Sequence, residues 1–436
     1  MRRSDAILLA IMLAVAGMPA GAWAKTITVA AGGNTLIEAV AAASPGDMLD
    51  LQPGRHQGPV LIAKTLALIG ADGAEVVGNG EGSVIRIEAA GVTIRNLTIT
   101  GSGTNTTNID GGIYVAQGAD DPVIENNRLD QNQFGISLHG PKRAIVRNNV
   151  VTNRNDLWLN SRGNGIHMWN NVGSRIEDNI VTGGRDGIFV QLGSDNIITG
   201  NKFSHLRFAV HYMYSKRGSV SDNVSIGNHI GYALMYSDQL IIKGNISVKD
   251  RDYGLMLNSA RKGDIRDNVI YGTADKCLFF YLAVKNQLIG NRFEDCGIGV
   301  HVTGSDANLI GGNAFIGNHV QMHYAGTKFH EWSIDGRGNY WSDNPAFDLN
   351  GDGMADTAYR PNDIVDWVVW RYPLSKLLMS SPAMEILRVG QSQFPALYPG
   401  GVVDSHPLMT APTAPRALPE IPADVKWEEG KADPSS

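Results

Sequence analysis

From about residue 65 the chain alternates apolar and polar residues in runs of three to six, each closed by Gly, Asn or Asp. "GIFVQL" (187–192) and "NIITGNKF" (196–203) are typical. Period-two alternation sends successive side chains to opposite faces, which is the pattern of a strand; a helical solenoid needs ten-residue stretches of 3.6 period, and the sequence has none here. An Asn after a turn, with an apolar residue one or two positions on, recurs at Asn127, Asn149, Asn179, Asn201, Asn223, Asn245, Asn268, Asn291 and Asn313, at spacings of 22, 30, 22, 22, 22, 23, 23 and 22. One insertion, residues 155–163, accounts for the 30. Short strands at this period predict an all-β fold, a right-handed parallel β-helix with one repeat per coil and coils ~4.8 Å apart. The Asn column reads as structural, since Asn tolerates a left-handed turn and its amide can pair with the Asn of the next coil.

The ends read differently. Residues 1–24 have the form of a secretory signal, with Arg2 and Arg3, an apolar run and a small-residue cleavage site. Residues 25–64 are expected to form an N-terminal cap and first coils, with Thr35-x-x-Glu38 as a capping box opening a short helix. The β-helix itself is placed at 65–341. A polar loop and Trp-rich closing segment follow at 342–372. Helical patterns at 374–379 and 382–389, the second with Ser381 as N-cap and Pro382 at its first position, fall in a C-terminal region at 373–406. The Pro-rich stretch 407–436 reads as a disordered tail.

Composition narrows the class. Gly is 51 of 436 residues, yet 43% of the chain is apolar, enough for a large core. A net charge of −6 argues against binding nucleic acid or an anionic membrane. No stretch of ~18 apolar residues supplies a transmembrane segment. Cys277 and Cys296 are 19 apart, three short of a coil, and that displacement favours unpaired packed thiols over a disulfide.

If Ile166, Ile188, Val210, Tyr232, Leu255, Leu278 and Val300 face the bore, the outward column is His167, Phe189, His211, Ala233, Met256, Phe279, His301. Its neighbour is Trp169, Gln191, Met213, Met235, Asn258, Tyr281, Thr303. A solvated face would carry Thr, Lys and Glu. Here stand His, Met and aromatics. His211 and Met213 share a strand face and Met235 follows Met213 by 22 residues, so the three make a soft set suited to Cu(I). The competing reading is a hydrophobic docking strip. His167, Met256 and His301 are secondary copper candidates; the last two lie ~10 and ~19 Å from His211, too far to join one site. Asp348, Asn350, Asp352 and Asp356 resemble a calcium loop lacking its final Glu, and a plain Asx-rich turn fits equally. The alternative class is a β-helix carbohydrate-active enzyme, a uronate lyase or C5-epimerase. Its chemistry needs carboxylates on an outward face, whereas Asp178, Asp222 and Asp267 recur only in the turn beside the Asn column.

Three stretches, "NSRGNGIHMWN" (160–170), "GNYWSDNPAFDLNGDGMADTAYRPND" (338–363) and "SSPAMEILRVGQSQFP" (380–395), resemble NosD, the periplasmic β-helix family of nitrous oxide reductase maturation. The resemblance implies a periplasmic accessory subunit with no enzyme activity. It implies an ABC-type permease and its ATP-binding subunit as partners, a membrane-anchored copper chaperone as donor, and nitrous oxide reductase as recipient of copper, with sulfur as a further cargo. Under it His211, Met213 and Met235 gain weight as a transient Cu(I) site, although none lies in the "NSRGNGIHMWN" or C-terminal motifs. Residues 374–389 gain a role in docking on the permease.

Overall fold

The computed structural model describes residues 24–325, 328–362, 364–379, 381–394, 400–422 and 425; the signal-like residues 1–23 lie outside this set. Each coil contributes three strands, and each strand pairs in parallel with its equivalent one coil away, giving sheets of 13, 12 and 13 strands. Sheet one runs from Thr26–Val29 to Leu309–Gly311, sheet two from Val60–Ile62 to Val320–Ala325, and sheet three from Gly54–Gln57 to Tyr340–Trp341. The fold is a right-handed parallel β-helix of about 14 turns. Sheet one begins at Thr26, within the stretch read as cap and first coils, and sheet three ends at Trp341. Ile, Val, Leu and Phe from all three sheets fill the bore as one continuous core. At ~1.5–3 kcal/mol per buried large side chain, this is the main stabilising term.

The Asn column carries the polar side of the same packing. Asn223 Oδ1 accepts both the backbone N–H and the Nδ2–H of Asn201, each at 2.9 Å. Asn223 Nδ2 in turn donates to Ile198 O and to Asn245 Oδ1, both at 3.0 Å. The column continues through Asn313 to Asn339 and ends on Asp404, whose Oδ2 accepts from Asn339 N–H at 2.7 Å and from Trp341 Nε1–H at 2.9 Å. The left-handed backbone expected of these Asn residues sits one residue earlier, at Asn126, Asn148, Asp178, Gly200, Asp222, Gly244, Asp267 and Gly290. Turn conformation and coil pairing are therefore divided between neighbours.

Both ends are closed. At the N-terminal end the helix Thr35–Ala42 buries Leu36 and Val40. Thr35 is its first residue and not the cap: the Thr35 hydroxyl donates back to Ala30 O and Gly32 O, so the capping box does not form. At the other end Phe293, Phe315 and Trp341 stack at centroid distances of 5.2 and 4.3 Å. The Trp-rich segment is a helix, Ile364–Arg371, followed by a 3-10 turn Pro373–Leu378 and the helix Pro382–Gln393 with Pro at its start.

Two further expectations are corrected. Residues 407–422 are not a disordered tail. Leu408 bridges Tyr340 and Met354, Arg416 Nη1 donates to Gly244 O, and Ile421 packs on an apolar stripe of sheet three with Val224, Ile226 and Tyr271. That outward stripe needs a cover, and the proline-rich strap supplies one. The cysteines are not unpaired: Cys277 and Cys296 form a disulfide with Cα atoms 5.6 Å apart. Cys296 lies in the turn between strands Arg292–Glu294 and Ile298–Thr303, where the corner absorbs the three-residue offset.

One buried acid gives a direct test of the interior. Asp250 is fully buried; its Oδ1 accepts from Asn228 N–H at 2.7 Å and its Oδ2 from the hydroxyls of Ser225 and Ser247 at 2.7 and 2.5 Å. Burial pushes its pKa up to about 7 despite those bonds. The folded state then holds a proton that the unfolded chain has released, so stability falls as pH rises from the ordinary carboxylate range to about 7 and levels off above. Asp250→Asn is expected to remove this loss, of order 2–4 kcal/mol, and to raise the melting temperature at pH 8 but not at pH 4. Thermal unfolding across pH checks it. For the Asn column, Asn223→Ala strands several buried donors and acceptors and is expected to cost about 3 kcal/mol or more in denaturant unfolding.

Candidate metal site

The inward residues of sheet two from Ile166 to Val300 are essentially inaccessible, which fixes the outward phase. The register aligns His167, Phe189, His211, Ala233, Met256, Phe279, His301 and His323 in one column. Gln191, Met213, Met235 and Asn258 align in the next, so Met213 and Met235 are direct neighbours between coils. This outer face is packed, not solvated. Phe189, His211 and Ala233 are 7%, 6% and 0% exposed. Rings run along it: His139 on Trp169 at 4.4 Å, Phe189 on His211 at 5.0 Å, Phe279 on His301 at 5.1 Å and His301 on His323 at 4.5 Å.

A third outward column, Asp186, Phe208, Ile230, Tyr253 and Lys276, was not apparent from alternation. Counting back by twos from Ile188 puts Asp186 in the bore. Gly187 breaks the count: a Cβ there would meet Phe203 at 2.6 Å, and one at Gly165 would meet Val181 at 2.3 Å, both bore residues. Two consecutive residues thus face inward, and the start of each strand changes phase. The signal was present as a small residue at 165, 187, 209, 231 and 254 of successive coils.

Asp186 organises the site. It is fully buried; Arg207 donates to both of its oxygens at 2.8 and 2.7 Å, and His211 Nδ1 lies 3.1 Å from its Oδ2. Burial alone would raise its pKa, but the His211 and Arg207 hydrogen bonds override that and hold the carboxyl far below its usual range. With a carboxylate at Nδ1, His211 carries a proton there, and a neutral ring then has its lone pair on Nε2. That nitrogen is buried and has no hydrogen-bond partner. Phe189 and the edge of Phe208, at 4.8 Å, wall the ring in.

The secondary candidates stand apart. His167 Nδ1 is bonded to the Asn164 amide at 2.9 Å, and one phenyl ring, Phe189, separates it from His211. His301 Nε2 lies 3.1 Å from Thr303 Oγ1, four coils from His211. Burial lowers both imidazoles to about 4, helped at His167 by Arg185 and at His301 by His323. Met256 sits opposite Ala233, between the coil of His211 and that of Phe279. Among the described residues no three His, Cys, Asp or Glu converge in a metal-binding arrangement.

The calcium-like loop satisfies itself. Asp348 accepts from Gly351 N–H and Gly353 N–H at 2.6 and 2.8 Å, Asn350 from Asp352 N–H at 2.9 Å, Asp352 from Met354 N–H at 2.9 Å and Asp356 from Leu349 N–H at 2.7 Å. These are Asx-type turns.

Comparison with known proteins identifies the family. Residues 154–346 match the family model described as "Periplasmic copper-binding protein (NosD)", and residues 69–173 match "Right handed beta helix region". The chain is 37% identical over 378 residues, 83% of its length and 87% of the relative's, to a probable ABC transporter binding protein NosD of Stutzerimonas stutzeri. A Pseudomonas aeruginosa protein of the same description is 38% identical, over 84% of this chain and 88% of its own. Solved structures share only the fold. The Dettilon tailspike protein aligns at TM-score 0.54 and 15% identity over 67% of this chain and 64% of its own, and the catalytic domain of a GH87 alpha-1,3-glucanase at 0.51 and 14% over 73% and 69%.

The ring nitrogens give a test of the packing. His167 and His301 are expected to stay neutral, with flat imidazole shifts in NMR titrations between pH 5.5 and 8, whereas an exposed histidine titrates near 6.5. Identity of 37–38% over more than four-fifths of its length places this chain in the NosD family.

Proposed function

We propose that this NosD-family chain carries Cu(I) on the outer wall of its solenoid and passes it on during maturation of nitrous oxide reductase, as the periplasmic subunit of an ABC-type complex. One observation carries the reading: a buried imidazole held by a carboxylate, its free nitrogen unpartnered, on the same face as two methionines stacked between coils. Neutral nitrogen and thioether donors match Cu(I) and suit Mg²⁺ or Ca²⁺ poorly. Without a thiolate the site holds copper loosely enough to release it. The family description as periplasmic and copper-binding supports both location and cargo. No helix among the described residues is long and apolar enough to cross a membrane.

The partners follow from the C-terminal helices and the relatives' description. Leu374, Leu377, Ile386, Val389 and Phe394 are all more than half exposed. Apolar side chains in that density are costly in water and suit burial in a groove. We assign them to the permease, whose ATP-binding subunit would act from the far side of the membrane; a membrane-anchored chaperone supplies the copper and the reductase receives it. Asp186, Arg207 and His211 are residue types that a polysaccharide-acting enzyme would also use. Asp186, however, is inaccessible and pinned by Arg207, and no second carboxylate stands in the three outward columns between Ile166 and Thr303.

Met213→Leu with Met235→Leu conserves volume and removes two thioethers. The double variant is expected to fold, to lose Cu(I) binding in a chelator competition, and to leave the reductase without its catalytic copper centre. Wild-type binding and an active reductase would refute the site. Leu377→Glu with Ile386→Glu is expected to keep Cu(I) binding and lose co-purification with the permease; retained association would refute the docking face.

A further inference from the structure

We propose that the copper ion sits above Ala233, held by His211 Nε2 and the thioethers of Met213, Met235 and Met256, with Asp186 as the residue that positions His211. The proposal rests on the copper reading above and specifies its site. It also brings in Met256, which coil counting alone separates from His211.

Ala233 is the one small residue in its column between His167 and His301, flanked in register by His211 on one side and Met256 on the other. It is nevertheless 0% exposed, so the surrounding side chains roof it over. Two coil spacings put the His211 and Met256 backbones ~10 Å apart, and a point above Ala233 lies ~5 Å from each. Methionine, unbranched and with three rotatable bonds, spans that gap readily. Met235 is two residues along the strand from Ala233 on the same face, and Met213 is its register neighbour on the coil of His211. Four donors therefore border one alanine.

The hydrogen bonding of His211 supports the same point. Its Nδ1 is taken by Asp186, which begins the strand one coil toward the N-terminus. Nε2, the other ring nitrogen, is left without a partner on a ring whose neighbour one coil on is Ala233. A buried ring nitrogen without a partner carries a desolvation cost that a ligand would offset. Arg207 occupies both Asp186 oxygens, so the carboxylate cannot swing away and the tautomer is fixed before metal arrives. Carboxylate–imidazole–metal arrangements of this kind tune affinity by ~10–100-fold through the outer partner.

The test is Cu(I) affinity of the full chain, with Cu(I) alone as probe, in competition with a colorimetric Cu(I) chelator. Met256→Leu removes one donor at constant volume and is expected to weaken binding at least tenfold. Ala233→Val removes no donor and fills the floor, and is expected to weaken binding as much or more. Asp186→Asn is expected to cost 10–100-fold and to change the His211 tautomer in nitrogen NMR of the metal-free protein. Thermal unfolding checks each fold, and if Ala233→Val fails to fold, Met256→Leu decides. Wild-type affinity in Met256→Leu, or in a folded Ala233→Val, overturns the proposal while leaving the broader copper reading intact provided that Met213→Leu/Met235→Leu still loses copper. If the wild type itself binds no Cu(I), both fall.

Discussion

The pairing of one buried asparagine with the next is the interaction on which the molecule depends. Each side chain accepts from the backbone N–H of the coil before it and donates to the carboxamide of the coil after it, at the edge of a largely apolar bore. A slip of one residue between coils would leave those groups buried and unpaired at several points at once, at ~1–3 kcal/mol each. Register is therefore locked. The same constraint governs the ends, where Asp404 replaces Asn as the last acceptor and ties the C-terminal segment to Trp341.

A locked register on the inside dictates neighbours on the outside. Met213 meets Met235, and Met256 meets Ala233, because the bore residues beside them are fixed. The outer wall of sheet two uses this in an unusual way, stacking rings and thioethers where solvated strands place Thr, Lys and Glu. Desolvation keeps His167 and His301 neutral, and Asp186 holds a single nitrogen of His211. The soft donors of this face are borne by a rigid scaffold, so little ordering entropy is needed to assemble them.

Much of this was legible in the sequence because it is periodic. The Asn spacing gave the coil, and the bore residues gave the outward phase for His211, Met213 and Met235. What periodicity does not encode was missed. Asp186 lies where the alternation breaks at Gly187, so a turn-like "GGRDG" hid the residue that orients His211. The Cys277–Cys296 disulfide depends on the path of a corner, which strand counting treats as rigid. The proline-rich strap at 407–422 looks disordered by composition, and only the apolar stripe it covers on sheet three explains its order. The capping box failed for a similar reason, since Thr35 is drawn to nearby carbonyls rather than to its own helix.

Under the copper reading, coil register builds a thioether-rich site around one imidazole. X-ray absorption at the copper edge of the full chain loaded with one equivalent of Cu(I) addresses it most directly. The expected first shell is dominated by sulfur with a single imidazole nitrogen, and sulfur scatterers are lost when methionines bordering Ala233 become leucine. A shell of nitrogen and oxygen alone would contradict it.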